Sequence, residues 1–248
     1  HGIAQGVLTP VFQMIASPAE RYDGDHGNED SITLNFDTSS LFLSDRFTGA
    51  DRYEGGLRSN AGLSYTLMGE GGGFIRASAG ESFHVAGENS FAVGSGLDGT
   101  SSDLVAALAI QFNDHATFGY QARIEEDLSR ANVQEASLGL TFDRISGSLS
   151  YADVSAADNY GRPNAERQVW GDATYKLDDA WSLFGSFRYD IEGNDFMEKS
   201  VGIGFNCDCM NARLALSEDR TDSGGSDFRV MLGVELRTIG GVSGGFKL

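Results

Sequence analysis

Apolar and polar residues alternate one for one along most of this chain. Between Asp227 and Arg237, Phe228, Val230, Leu232, Val234 and Leu236 fall on one face. Arg229, Met231, Gly233, Glu235 and Arg237 fall on the other. Successive side chains of a strand point to opposite faces, so the segment predicts a β-strand with one apolar and one polar side. The same pattern runs through Ala61, Leu63, Tyr65 and Leu67, through Ala116, Phe118, Tyr120, Ala122 and Ile124, and through Ala136, Leu138, Leu140 and Phe142. It recurs in Trp181, Leu183, Gly185, Phe187 and Tyr189. The alternation predicts about twelve strands, near 8–17, 56–68, 73–84, 103–113, 116–126, 132–142, 145–154, 167–178, 181–191, 198–207, 210–219 and 227–238. Most have the length of about ten residues that a tilted strand needs to cross a bilayer. No segment reads as a helix.

The predicted connections fall into two classes. Those at 69–72, 114–115, 143–144, 179–180 and 208–209 are short. Those at 18–55, 85–102, 155–166, 192–197 and 220–226 are generally longer, with one brief member at 127–131. Short and long alternate, as the periplasmic turns and extracellular loops of an outer-membrane barrel do. By convention the last strand ends in the periplasm, and counting back from 227–238 places every short turn there. Trp181, Tyr65, Tyr151, Tyr189 and Phe142 stand near strand ends, where an interfacial aromatic girdle would place them. A soluble barrel would turn the apolar face inward. The Gly, Ser, Thr, Gln and Arg of the polar face suit a hydrated lumen instead. The expected fold is all-β, an antiparallel transmembrane β-barrel of the cell outer membrane, with residues 1–248 as a single barrel domain.

Composition narrows the classes further. The 248 residues include 33 Gly and 3 Pro, and 18 basic against 36 acidic residues leave a net charge of −18. Nucleic-acid binding needs clustered Lys and Arg and is not expected. No apolar run reaches the roughly 18 residues of a transmembrane helix. The sequence opens at His1 with no basic segment followed by an apolar core, so the expectation is a piece of a longer exported protein.

Residues 8–58 depart from plain alternation. They run Leu8-Thr-Pro-Val-Phe-Gln-Met-Ile-Ala-Ser-Pro18, then Asn28-Glu-Asp-Ser31, Asn35-Phe-Asp37 and Leu41-Phe42. A block follows that contains Asp45, Arg46, Phe47, Gly49, Asp51, Arg52, Glu54, Gly56 and Arg58. This resembles the LptD family, whose members carry a proline-containing "EP-hydrophobic-Q" strand, a "PNEDS" segment and an "RF-(S/T)-G-x-DR-x-E-x-G-x-R" block. Thr9 stands where Glu is common. The resemblance implies about the C-terminal half of a larger barrel. It implies transport of lipopolysaccharide and its insertion into the outer leaflet, without cofactor or enzymatic step. It implies an LptE-like lipoprotein plug, a periplasmic Lpt bridge protein reached through an N-terminal domain, and lateral exit between the first and last strands. The last predicted strand, with Phe228, Val230, Leu232, Val234 and Leu236, is then a candidate gate strand.

The 18–55 connection is dense in both signs of charge, and a loop of that length is functional or disordered. It reads as an extracellular or plug-like loop packed on the barrel, or as a solvated surface loop. Cys207 and Cys209 flank Asp208 at a short turn. Two Cys at i and i+2 of a strand point the same way, and a mutual disulfide there is strained. Pairing elsewhere, free thiols and an incomplete metal site remain open. The family resemblance implies disulfides to the periplasmic domain, with the difference that Asp208 separates cysteines that are often adjacent.

Of the four histidines, His1, His26, His84 and His115, none stands in a catalytic or metal-binding pattern. The competing function is a passive outer-membrane porin or substrate channel, with Arg123, Arg188, Arg229 and Arg237 lining the lumen. A barrel-embedded hydrolase would need a His beside a Ser or carboxylate on neighbouring strand ends.

Overall fold

The computed structural model describes residues 5–19, 36–47, 52–69, 71–158, 162–221, 224–237 and, as backbone, 240–247. It is all-β. In chain order the strands are β1 (Gln5–Ser17), β2 (Gly56–Met68), β3 (Phe74–Ala86), β4 (Leu104–Asn113), β5 (Ala116–Ile124), β6 (Ala131–Thr141) and β7 (Ile145–Val154). They continue as β8 (Glu166–Lys176), β9 (Trp181–Asp190), β10 (Asp195–Asn206), β11 (Met210–Arg220), β12 (Ser226–Leu236) and β13 (Gly240–Lys247). The hydrogen-bonded order is the sequence order, β1 through β13, with antiparallel pairing from β1 through β4 and from β8 through β13. Such a meander needs only local connections, and short and long ones still alternate except at 191–194, which is no longer than the short connections 177–180 and 69–73.

Two sequence expectations change here. Among the described residues there are thirteen strands, one beyond the approximate twelve, because Gly240–Lys247 pairs with β12 from Leu236↔Gly240 to Arg229↔Lys247. Glycine supplies no side chain to pack and weakens a strand's signature, so this segment lacked the apolar alternation that marked the others. The candidate gate strand with Phe228, Val230, Leu232, Val234 and Leu236 is therefore not the last strand. It is paired to β11 on one side and to β13 on the other. Counting sides back from the chain's last strand also loses its basis. The short connections are assigned to the periplasm by their length alone.

The chain packs as two compact units. The second comprises 114–117, 137–151 and 167–248. Its register aligns apolar residues into rows across four strands. Leu183 pairs with Ile203, Ile203 with Leu214, and Leu214 with Leu232. A parallel row runs Gly185, Val201, Leu216, Val230. These side chains have no protein cover: Val201 is 60% exposed, Leu232 51% and Leu214 46%. A contiguous bare apolar face of this extent belongs in a membrane. The opposite face carries Asp172, Ser186, Ser200, Ser217 and Arg229 in one register row, with Ser186 and Ser200 hydroxyls 2.7 Å apart. Aromatic pairs stand at both strand ends. Trp181 and Phe205 lie 4.8 Å apart beside the short turns, and Tyr189 and Phe196 lie 5.0 Å apart beside the longer ones.

The first unit comprises 1–113, 118–136 and 152–166. Its apolar face resembles the other, with Leu8, Tyr65, Ala77 and Leu108 in one register row. Its polar face does not stay open. Two long connections, the described part of 18–55 and the segment 87–103, fold onto it. The buried hydrophobic cluster of Phe36, Leu41, Phe91, Leu97 and Val105 lies there, with Phe42 and Phe47 packed against it.

Candidate functional site on the loop-bearing face

The site begins with two missing side chains. Gly62 on β2 and Gly80 on β3 are register partners. A Cβ on Gly80 would sit 2.4 Å from Leu41 Cδ2, and one on Gly62 would sit 2.9 Å from Phe42 Cζ. The two glycines form a shallow seat that receives Leu41 and Phe42. Residues 37–43 can enter it because they turn tightly. The Leu41 amide donates to the Asp37 carbonyl at 3.1 Å, and the Asp37 carboxylate accepts the Ser39 and Ser40 amides at 2.7 and 3.0 Å.

A polar ladder fixes the seat from below. Gln13 on β1, Asn60 on β2 and Ser82 on β3 are register partners. The Gln13 amide donates to the Phe42 carbonyl at 3.0 Å. Asn60 donates to Gln13 Oε1 at 2.8 Å, and the Ser82 hydroxyl donates to Asn60 Oδ1 at 2.7 Å. Ser82 then exchanges bonds with Ser102, its amide donating to Ser102 Oγ at 2.9 Å and its carbonyl accepting the Ser102 amide at 2.8 Å. The ladder thus ties both loops to three strands. Buried polar groups with complete partners hold a single arrangement, because each displaced partner leaves a desolvated group behind.

Above the ladder lies a buried charge cluster. The Arg46 guanidinium grips Glu54 with two bonds, one of them Nε to Oε2 at 2.8 Å. Arg58 Nη1 lies 3.3 Å from the same carboxylate, and its Nη2 donates to the Ser44 carbonyl at 2.6 Å. The three side chains are 2%, 6% and 2% exposed. Arg46 lies between the rings of Phe36 and Phe91, 5.5 and 5.4 Å from their centroids. Phe47 stacks on Phe91 at 4.7 Å, and Arg52 covers Phe47 at 4.4 Å while donating to the Ser90 carbonyl at 2.6 Å. Asp45 accepts the Phe47 and Glu54 amides at 3.1 and 3.3 Å. Gly56 has a φ of +87°, and a Cβ there would meet the Ala86 carbonyl at 2.6 Å, so that position of the block requires glycine. Asp45, Arg46, Phe47, Arg52, Glu54, Gly56 and Arg58 thus converge on one site. Gly49 and Asp51 lie outside the described residues, as do the charged residues of 20–35.

Arg123 on β5 extends the cluster to the second loop. It faces Asp103 at 3.3 Å and donates to the Ser95 carbonyl at 2.9 Å, with 7% of its surface exposed. It is locked beneath the 87–103 segment instead of lining open space. Burial pushes the Asp103 carboxyl above its ordinary range, against the opposing pull of its Asn132 bond and Arg123. The other three arginines named above lie elsewhere. Arg188 stands 5.8 Å from the Trp170 ring, Arg229 pairs with Asp219 at 3.0 Å, and Arg237 donates to Asn206 Oδ1 at 3.0 Å. Gln13 and Leu41 stand in the segments that carry the family resemblance, but Asn60, Ser82, Ser102 and the two seat glycines were not singled out by sequence. Their only signal is a polar or small residue at alternate positions, which many lumen-facing residues share.

His84 contacts the Gly87 carbonyl at 3.1 Å, and His115 contacts the Thr141 carbonyl at 2.8 Å while stacking on Phe142. His1 and His26 lie outside the described residues. Cys207 and Cys209 are both in the 207–209 connection, outside β10 and β11, with their sulfurs 2.8 Å apart.

A continuous antiparallel meander with a bare apolar face, aromatic ends and a polar face defines an outer-membrane β-barrel. The model of the LptD family, LPS transport system D, matches residues 4–181, and the chain belongs to that family. The LPS-assembly protein LptD of Aeromonas salmonicida is 24% identical across 99% of this chain and 32% of its own length. That of Saccharophagus degradans is 27% identical across 77% of this chain and 24% of its own length. The chain therefore spans about a quarter to a third of these relatives. Among solved structures, OmpF of Salmonella typhi in complex with daunomycin is similar at a TM-score of 0.39 and 8% identity, covering 81% of this chain and 85% of that one.

Proposed function

We propose that the protein to which this chain belongs transports lipopolysaccharide through the outer membrane and inserts it into the outer leaflet. The match of the LptD family across 4–181 carries this reading. The polar row of Asp172, Ser186, Ser200, Ser217 and Arg229 supports it, since hydroxyls and charges suit a phosphorylated sugar headgroup. Arg188, Arg229 and Arg237 are the candidate lining charges. The work is transport rather than catalysis.

On this reading the loop-bearing face is a plug-like extracellular cover, built from the described part of 18–55 together with 87–103. The proposed partners are an LptE-like lipoprotein in the lumen and a periplasmic Lpt bridge protein that delivers the lipid. Cys207 and Cys209, on a short turn, are candidates for disulfides to a periplasmic domain. Lateral exit would not run beside β12, which is paired along both edges.

Depletion of the full-length protein tests the function. Newly made lipopolysaccharide should fail to reach the cell surface. Loss of a passive porin would leave its arrival unchanged and reduce only solute permeability. Co-purification of the full-length protein with a lipoprotein tests the partner.

A further inference from the structure

Arg213 on β11 stands between two glycines. Its register partners are Gly204 on β10 and Gly233 on β12. The row continues through Ser182 on β9 to Lys176 on β8. It lies on the polar face, since Leu183, Ile203, Leu214 and Leu232 take the apolar one. Neither glycine puts a side chain beside Arg213. Among the described residues nothing comes within 4 Å of the place a Gly233 Cβ would take, and the Ser182 hydroxyl leans over Gly204, 2.7 Å from its missing Cβ. The guanidinium is held without an acid. Its Cζ lies 4.6 Å from the centroid of the Phe184 ring. Phe184 rests on Gly202, where any Cβ would collide with the ring. Stacking on an aromatic face orients a guanidinium, leaves its N–H edge for an anion and does not neutralise its charge. Among the described residues Arg213 has no ion pair and no side-chain hydrogen bond. On the same face Arg229 is engaged by Asp219 and Arg237 by Asn206. From β8 to β12 the row carries two cations, Lys176 and Arg213, and no carboxylate, in a chain of net charge −18. Such a local reversal of sign concentrates anions.

We propose that Arg213, seated on Phe184 and Gly202 and backed by Ser182 and Lys176, is a binding contact for a phosphate ester of the lipopolysaccharide headgroup, on the polar wall near the short turns. The inference rests on the transport reading and names the chemistry of one station on that wall. A phosphate fits because the guanidinium fork donates two parallel N–H bonds to two of its oxygens. The Ser182 hydroxyl can donate to a third, and the space over Gly204 and Gly233 admits the group. Lys176 adds charge from the same row. Arg213 is exposed, and charge contacts at exposed positions are weak. A headgroup is therefore oriented there and released, as passage requires.

Ala215 follows two residues along β11 and faces the same way. A photo-cross-linking group at Ala215 of the full-length protein reads what lies beside Arg213. Capture is compared in cells that make lipopolysaccharide with a phosphorylated headgroup and in cells that remove those phosphates enzymatically. Arg213→Gln should lower capture of the phosphorylated lipid roughly tenfold, the effect of one lost charged hydrogen bond, and leave capture of the dephosphorylated lipid unchanged. Arg213→Lys should fall between, because an ammonium has no fork and no plane to stack. Phe184 is a positioning residue. Phe184→Leu should lower capture of the phosphorylated lipid alone, and Phe184→Tyr should keep it at the wild-type level. Undiminished capture in Arg213→Gln, or an equal loss for both lipids, overturns the contact and leaves the transport reading standing. No capture from position 215 with Arg213 intact, in cells that continue to export lipopolysaccharide, overturns the contact and the path along this wall together. The transport reading fails separately, if depletion of the protein leaves export unchanged.

Discussion

Glutamate 54 is the residue on which the loop cover depends most directly. Its carboxylate is the counter-ion of both Arg46 and Arg58, and all three side chains are almost wholly buried. Glu54→Gln keeps the shape and removes the charge. Two guanidiniums then stay in a low-dielectric site with no carboxylate between them. Removing one partner of a buried pair costs about 3–5 kcal/mol. At about 1.4 kcal/mol per tenfold, the open population of the 36–58 segment rises between roughly a hundredfold and a few thousandfold. Surface proteolysis of intact cells reads this population, because cleavage tracks the open form when opening and closing are fast. Cleavage within 36–58 and 87–103 should accelerate by that factor, while heat-dependent migration shows an intact barrel. Arg167 and Glu192 provide the control: they pair at 3.3 Å but are 42% and 51% exposed. Glu192→Gln should change stability by less than about 1 kcal/mol. The reasoning is wrong if Glu54→Gln is cleaved at the wild-type rate.

Three further outcomes are expected. Gly80→Val should unseat Leu41 and open the same loops, at a cost of about 1–3 kcal/mol for overpacking, scored by the same proteolysis. Leu214→Arg, on the bare apolar face, should destabilise insertion by up to about 2–4 kcal/mol in bilayer folding titrations, whereas Ala215→Arg on the opposite face should cost far less; equal costs would refute the assignment of faces. Asp103 has its pKa raised in the fold above 3.8, so the protonated form favours the docked loop. Docking contributed by Asp103 is complete below the ordinary carboxylate pKa and is lost as pH rises through the raised value. Loop cleavage should therefore increase with pH above about pH 4, and Asp103→Asn should flatten that dependence; an unchanged pH profile in the variant would refute the assignment to Asp103.

The parts of the fold that depend on local periodicity were legible in the sequence. A one-for-one alternation states both that a strand exists and which face is apolar, as Leu214 and Leu232 show. Gly240–Lys247 escaped because its backbone pairs without an apolar side-chain pattern to announce it. The loop cover was legible only as a dense block of charges. Its construction depends on absent atoms at Gly62 and Gly80 and on pairings across long sequence separations, such as Arg123 with Asp103, and neither leaves a periodic trace. The cysteines show the same limit. Their spacing implied strand geometry, and a bend held by Ala180 and Arg237 brought the sulfurs together.

The proposed function requires that the polar face of this sheet carry lipopolysaccharide in transit while the apolar face meets the membrane. Photo-cross-linking groups at Arg213 and Leu214, adjacent on β11 but on opposite faces, test it in the full-length protein during a pulse of labelled lipopolysaccharide. The account predicts that position 213 traps the label early and loses it during the chase, while position 214 captures it only late and keeps it. Position 213 never trapping lipopolysaccharide, in cells that continue to export it, would contradict the account.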